Sequence, residues 1–370
     1  RALRPLRLPA GVVRIAFDVS PLSHPLLGIG NYIRGSLRGL VAVGGAEHEI
    51  VAFAPTSIRG REGIRAALAD IDVDLRTWRL PFSHALRTGW SRAGRPAAER
   101  IVGPFDVLHF SDWMFPPQRS GVRATTIHDL VPLHHPEWTT ARTRSMHGRK
   151  YRNAAATCDV VFVNSEFTGR DVIETLGVAR ERVHVAHPAP KDVFASLGPR
   201  AELGGPYVLT VATLEPRKNL RALVEAHRLL GGDLLLAVVG AEGWGEQPLL
   251  DDPRIRRLGY VSDEELARLY RGAAVVVYPS RFEGFGIPVV EAMACGVPVV
   301  ASSDPSLDEA SGDAAMRADP DDPASIAAAI DRAQAERERL VAAGLEHASR
   351  FSWRAVGEIF LRAYEEALES

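Results

Sequence analysis

The chain has 370 residues, room for about two domains of ordinary size, and its 46% hydrophobic and 24% charged residues exclude a disordered or collagen-like chain. Two cysteines, Cys158 and Cys295, stand far apart, which excludes a disulfide framework or a four-cysteine zinc site and suits a reducing compartment. The net charge of −2 hides an asymmetry: 25 Lys and Arg face 17 Asp and Glu through His187, and 19 face 29 after it, so a basic half joins an acidic half.

The N-terminal stretch Arg1–Arg14 is basic with no continuous apolar run behind it, and nowhere does an apolar run approach the ~18 residues of a membrane span. The sequence thus reads as a cytoplasmic protein without a signal peptide. Strand signals follow as short β-branched runs: Val13–Val19, Ile50–Ala54, Asp106–Phe110, Ala124–Ile127, Val160–Asn164 and Val183–Ala186. Between the first two, Gly28-Ile-Gly30-Asn31-Tyr32 reads as a loop ahead of a helical stretch, Ile33–Val43; it is a partial glycine motif, equally a simple loop, since the full Gly-x-Gly-x-x-Gly is absent. Asp70, Asp72 and Asp74 imitate a metal-binding Asp-x-Asp but sit in a polar stretch before a short strand and read as a surface loop. From Arg76 to Arg100 six arginines oppose only Glu99, with Trp78, Phe82, Leu86 and Trp90 interleaved. That pattern suits peripheral contact with an anionic membrane at the inner face of the plasma membrane, or an acidic lipid-linked acceptor, and equally an ordinary solvated loop with partly buried aromatics. No nucleic-acid motif accompanies it. His128-Asp129 ends the run Ala124–Ile127, where a strand's C-terminal edge faces a ligand crevice. His134 and His135 follow, but no fourth zinc ligand is in view, so no metal is expected.

Two prolines in His187-Pro188-Ala189-Pro190 break regular structure and place the domain boundary there, giving domains 1–187 and 188–351. The second half carries strand runs Tyr207–Ala212, Leu234–Gly240, Ile255–Leu258, Ala274–Pro279 and Val297–Ser302. Several are apolar throughout, as strands covered on both faces are. Ser165, Asn219 and Ser262 mark helix starts before Glu166–Leu176, Leu220–Leu230 and Leu266–Arg271. Strand and helix alternate in both halves, so the expected fold class is α/β, with two doubly wound parallel-sheet domains. A last helix, 352–370, carries Trp353, Val356, Phe360, Ala363 and Tyr364 on one face and is able to pack on either domain.

Two clusters carry chemistry. Glu215-Pro216-Arg217-Lys218-Asn219 follows the strand Tyr207–Ala212 and precedes a helix, where α/β sheets bind anions. Arg217 can fork onto phosphate oxygens and Lys218 can supply a compact charge; only three lysines occur in a chain with 41 arginines. Arg281-Phe-Glu-Gly-Phe-Gly-Ile-Pro-Val-Val-Glu291 follows the strand Ala274–Pro279. Gly284 and Gly286 permit a tight loop, Pro288 suits a helix's first turn, and the N–H groups of Phe285, Gly286 and Ile287 would face a polyol or phosphate. Glu283 and Glu291 can then address different hydroxyl-bearing parts of one ligand.

This second motif resembles the signature of the GT-B glycosyltransferases of family 4, a Glu, seven residues and a second Glu around a Gly-Phe-Gly-Ile-Pro core. The resemblance extends to Thr213–Leu220, Leu258–Leu266 and the closing Phe351-Ser-Trp353 helix, closely over the second half and more loosely over the first. It implies two Rossmann-like domains facing a central cleft and a retaining, metal-independent transfer from a nucleoside diphosphate sugar, with no further cofactor. It assigns Arg217 and Lys218 to the donor diphosphate, Glu283 to the transferred sugar, Glu291 to the ribose, and Tyr260-Val261 after Gly259 to the base. His128, with Asp129 beside it, is assigned to the transferred hexose, and the Gly28-Ile-Gly30 loop to the diphosphate and the acceptor. The Leu214–Asn219 form of the basic motif and the His-Asp pair look like bacterial mannosyltransferases of polysaccharide and glycolipid assembly. GDP-mannose is therefore the expected donor and a glycan or lipid-linked molecule the acceptor. UDP-glucose, UDP-N-acetylglucosamine, a nucleotide-sugar epimerase and a non-catalytic sensor on the same fold stand as alternatives.

Overall fold

The computed structural model describes residues 11–24, 28–80, 83–111, 114–243 and 252–370. The chain divides into two compact units, Arg1–Pro188 with Trp353–Ser370, and Ala189–Ser352.

The first unit is built on a seven-stranded sheet: β1 (Arg14–Asp18), β2 (Glu49–Thr56), β3 (Asp74–Arg79), β4 (Val107–Phe110), β5 (Val122–Ile127), β6 (Val160–Val163) and β7 (Val183–Val185). The order is β3-β2-β1-β4-β5-β6-β7, every pair parallel. The second unit has β8 (Tyr207–Val211), β9 (Leu235–Val239), β10 (Ile255–Gly259), β11 (Val275–Tyr278), β12 (Val299–Ser302) and β13 (Met316–Ala318). Its order is β10-β9-β8-β11-β12-β13, again parallel throughout. Interior strands β4, β6, β11 and β12 are buried at every residue, which is why they read as unbroken apolar runs. The edge strands β3 and β13 are half-buried and carry charged residues, so no strand pattern marked β13 and only a short strand was expected near β3. In each sheet the order reverses beside the first strand, between β1 and β4 and between β8 and β11. Such a switch point opens a crevice at the carboxyl ends of the strands.

Ser165 and Ser262 cap their helices, accepting from the Thr168 and Glu265 N–H groups. The glycine stretch differs from expectation. Gly28 and Gly30 lie inside the helix Gly28–Gly44 and not in a loop before it. That helix is tied into the core by Tyr32, Ile33, Leu37 and Leu40, so burial of one face outweighs the low helix propensity of its first turn. Asp70 pairs with Arg34 at 2.5 Å, and Asp74 is the first residue of β3, so the three aspartates are not one loop.

The last helix, Trp353–Glu369, packs on the first unit. Its Val356, Phe360, Ala363 and Tyr364 join the core with β1, β2 and the helix Gly28–Gly44. Tyr364 Oη meets Nδ1 of fully buried His109 at 2.6 Å, and the other ring nitrogen meets Thr126 Oγ1 at 2.9 Å. The two helices cross at bare backbone. A Cβ on Gly39 would strike the Trp353 carbonyl oxygen, and one on Gly357 would strike the Gly39 backbone. Backbone cannot step aside as a side-chain tip can, so Gly39→Ala is expected to lower stability by about 1–3 kcal/mol in urea unfolding of the full chain. An unchanged midpoint would show that the helices separate without cost.

Candidate active site

At the switch point of the second unit, β8 and β11 pair directly, Val208 beside Val275 and Leu209 beside Val276. The segments leaving their carboxyl ends are therefore neighbours although about 65 positions apart in sequence. From β8 comes a single 3-10 turn, Pro216–Lys218, and from β11 the loop to the helix Ile287–Ala294. Arg217 Nη1 lies 2.8 Å from Glu283 Oε2, and Lys218 Nζ lies 2.5 Å from Glu283 Oε1. Tyr278 Oη donates to the same Oε1 at 3.0 Å and accepts from Lys218 Nζ at 2.7 Å. Glu215 Oε2 accepts from Arg217 Nε at 3.1 Å. Behind them the Glu283 N–H donates to Ser306 Oγ.

Glu283 and Lys218 are both nearly out of solvent. Burial alone would raise the Glu283 carboxyl, but the Arg217 and Lys218 charges outweigh it and hold the group at about 2. Burial lowers Lys218, as does the like charge of Arg217, and the Glu283 carboxylate opposes both. The cluster is a fixed pair of cations clamped on one carboxylate.

Asn219 stands before the helix Leu220–Leu230 at the N-cap position, yet its side chain does not cap. Its backbone is left-handed, φ 57°, and Nδ2 donates to the carbonyls of Pro279 at 3.2 Å and Pro320 at 2.6 Å. It thereby ties the basic turn to the segments after β11 and β13. Asn tolerates this backbone better than other non-glycine residues. Tyr278, Ser306 and this use of Asn219 carried no sequence signal: Ser306 and Asn219 bond partners 23 or more positions away, and the Tyr278 hydroxyl matters because it joins Glu283 to Lys218, 60 positions away.

The glycine loop closes on Gly286, φ 103°, where a Cβ would meet Leu307, so no larger residue fits. Phe285 buries its ring edge to face on Phe351, centroids 5.3 Å apart, leaving only its backbone for a ligand. Ile287 begins the helix, and Glu291 lies one turn further in, buried and accepting from Tyr270 Oη at 3.2 Å. Burial raises the Glu291 carboxyl to about 7, against the pull of the Lys191 charge and of the Tyr270 hydrogen bond. Gly259 ends β10 with φ 69°; Tyr260 beyond it is 59% exposed and Val261 packs on the core. The two assigned carboxylates thus have opposite characters, one ionised down to strongly acidic pH and one poised near neutrality.

In the first unit His128 directly follows β5, with Nδ1 3.2 Å from Nδ2 of Asn164, which directly follows β6. Asp129 turns its carboxylate onto the Val131 N–H at 3.1 Å. Gly28 has open space where a Cβ would stand, and Gly30 is buried in the helix. His134 pairs with Asp171 and His135 stacks on Trp138, so the three histidines serve different partners. Among the described residues no group of three or more His, Cys, Asp or Glu is placed to hold a metal ion. Asp18, which no motif flagged, ends β1 fully buried; burial raises it to about 6, although the N–H groups of Ser20 and Ser111 donate to its oxygens.

The basic aromatic stretch reads differently in three dimensions. Trp78 and Trp90 meet edge to face at 5.2 Å, and Trp90 donates to the Pro96 carbonyl from the core. Arg87 is also buried. Phe82 lies outside the described residues. What this stretch displays is Arg79, Arg92, Arg95, Arg100 and Leu86, not the tryptophan pair. Among the described residues no helix is long and apolar enough to cross a membrane.

The family profile of glycosyl transferases group 1 matches residues 199–347, and that of Glycosyltransferase Family 4 matches residues 27–189. The chain is 30% identical to O-antigen chain mannosyltransferase B of Escherichia coli, over 95% of this chain and 100% of that one. It is 31% identical to a D-inositol 3-phosphate glycosyltransferase of Thermobifida fusca, over 78% and 74% of the two chains. Sucrose-phosphate synthase from Thermosynechococcus elongatus shares the fold at TM-score 0.72 and 20% identity, over 96% and 98%. WaaG, a glycosyltransferase involved in lipopolysaccharide biosynthesis, does so at TM-score 0.67 and 14% identity, over 96% and 99%.

Proposed function

We propose, for a chain that belongs to the GT-B glycosyltransferases of family 4, that it moves mannose from GDP-mannose to a glycan or lipid-linked acceptor, with retention at the anomeric carbon. The observation that carries this reading is the Arg217–Lys218–Glu283 cluster at the switch point. Negative charge grows on the leaving diphosphate as the glycosidic bond breaks. Two cations already fixed in place, with the amides of Gly286 and Ile287, would stabilise it without reorganising, the role a metal fills elsewhere. Lys218 has three N–H bonds and directs two at Glu283 and Tyr278, which leaves one for a phosphate oxygen. Glu291, able to give or take a proton near neutrality, is read as the partner of the ribose hydroxyls, and His128 as that of the transferred hexose.

Retention by front-face attack fits the state of Glu283. A carboxylate held near 2 and bound by two cations and a phenol is a poor nucleophile, so no covalent glycosyl-enzyme is expected. Mannose as the sugar is supported by the mannosyltransferase relatives, one of which matches over 95% of this chain. A cytoplasmic enzyme touching the anionic face of a membrane through Arg79, Arg92, Arg95 and Arg100 would meet a lipid-linked acceptor directly. The donor is tested by a thermal-shift panel of GDP, UDP, ADP and dTDP sugars. GDP-mannose should raise the melting temperature, as any ligand of the native state does. A rise with a UDP sugar and none with GDP-mannose would overturn the donor.

A further inference from the structure

The helix Ala141–Thr157 grips the segment carrying His128 on both sides. Buried Lys150 donates from Nζ to the Thr126 carbonyl at 2.5 Å, and Tyr151 Oη donates to the Asp129 carbonyl at 3.0 Å. Two further elements hold the ring. Tyr32, from the helix Gly28–Gly44, meets it edge to face with centroids 5.1 Å apart. Asn164, 7% exposed, brings its amide nitrogen to 3.2 Å from Nδ1. An amide NH2 only donates, so Nδ1 is the acceptor, and the single proton of the neutral ring belongs on Nε2. That Nε2 is shielded from solvent and meets no hydrogen-bonding partner among the described residues. A shielded donor with nothing to bond is costly, and a substrate hydroxyl oxygen would satisfy it.

The charges around the ring point the same way. Burial pushes the imidazole down to about 3, and the Lys150 charge and His147, both on the helix Ala141–Thr157, act in the same direction. Tyr32 directs its hydroxyl to the Ala186 carbonyl and adds no charge. We propose that Asn164 and Lys150 are positioning residues for sugar transfer. Asn164 selects the Nε2-protonated tautomer of His128, and Lys150, anchored on the Thr126 carbonyl beside the ring, adds its charge to burial in keeping a second proton off it. His128 then meets the transferred sugar as a hydrogen-bond donor and not as a base or a cation. This rests on His128 facing the hexose.

The test is the ring nitrogen spectrum of His128 in the full-length 15N-labelled protein at pH 7, with GDP release from GDP-mannose measured on the same variants. The expected spectrum has Nε2 protonated and Nδ1 bare. Asn164→Asp replaces the donor with an acceptor, so it should move the proton to Nδ1 and lower kcat roughly a hundredfold with donor KM little changed. Lys150→Met should let the ring take up a second proton at a higher pH than in the parent. Circular dichroism shows whether each variant is folded, and a merely structural Asn164 would lower the melting temperature without moving the proton. A parent ring protonated on Nδ1, or on both nitrogens, overturns the assignment even if His128→Ala is inactive, and then the role of His128 survives alone. His128→Ala at full kcat would sink both.

Discussion

Replacing Lys218 by Met should lower turnover of GDP-mannose on the order of 10²–10³-fold while leaving the chain folded. The expectation follows from the geometry of the clamp. Lys218 shares Glu283 with Arg217 and Tyr278, so its loss leaves the carboxylate with two partners and not stranded. Methionine keeps most of the volume of the buried stem. What disappears is a point charge directed at the leaving diphosphate, whose value lies mainly in the transition state, so kcat should fall more than KM rises. Acid stability supplies a second readout. Glu283 titrates at about 2 in the folded chain, below its unfolded value near 4.5. Its contribution to stability is present above pH 4.5 and is lost as the pH falls toward 2. With one cation gone the folded value must rise, so the variant should lose that contribution at a higher pH. Measured kcat within threefold of the parent would remove Lys218 from the mechanism.

Glu291→Gln is expected to make the protein more stable at pH 8, on the order of 3 kcal/mol, while weakening nucleotide binding. Burial lifts the Glu291 carboxyl from 4.5 to about 7 in the folded chain. A raised value means stability is full below pH 4.5 and falls as the pH climbs toward 7, because the folded protein must then ionise a shielded carboxyl. Glutamine keeps the carbonyl oxygen that accepts from Tyr270 and carries no charge to shield, so its stability should be flat over that window. The two chains should therefore match near pH 4 and diverge by pH 8 in urea unfolding. Loss of a charge-assisted hydrogen bond to the ribose should raise Kd for the nucleotide about tenfold or more. Equal stability at pH 8 would mean that Glu291 is solvated in the folded chain.

The pairing of these carboxylates shows how far the residues alone could be read. Their spacing around Gly-Phe-Gly-Ile-Pro marked both as ligands of one molecule, but nothing in that spacing separates an acid held near 2 from one near 7. The difference lies in neighbours: Arg217 and Lys218 bond Glu283 directly from another strand, whereas at Glu291 burial outweighs the Lys191 charge and the Tyr270 hydroxyl. The aromatic residues between Arg76 and Arg100 teach the reverse lesson. Alternation with arginine suggested a displayed surface, yet Trp90 fills the core, because a ring that large is buried wherever the backbone allows it.

By itself the sequence determined the class of fold, since unbroken apolar strands spaced by amphipathic helices pack only as covered parallel sheets. It also determined the family chemistry, through short motifs whose glycines, proline and charges work within one loop. Tertiary structure alone decided which groups meet. Lys218 reaches Glu283 because β8 lies beside β11, Asn164 reaches His128 because β6 lies beside β5, and the last helix joins the first unit because Gly39 and Gly357 let two backbones touch. Electrostatic and hydrogen-bond energies depend on distances of a few ångströms. Residues far apart in the chain acquire those distances only when the strands take their order.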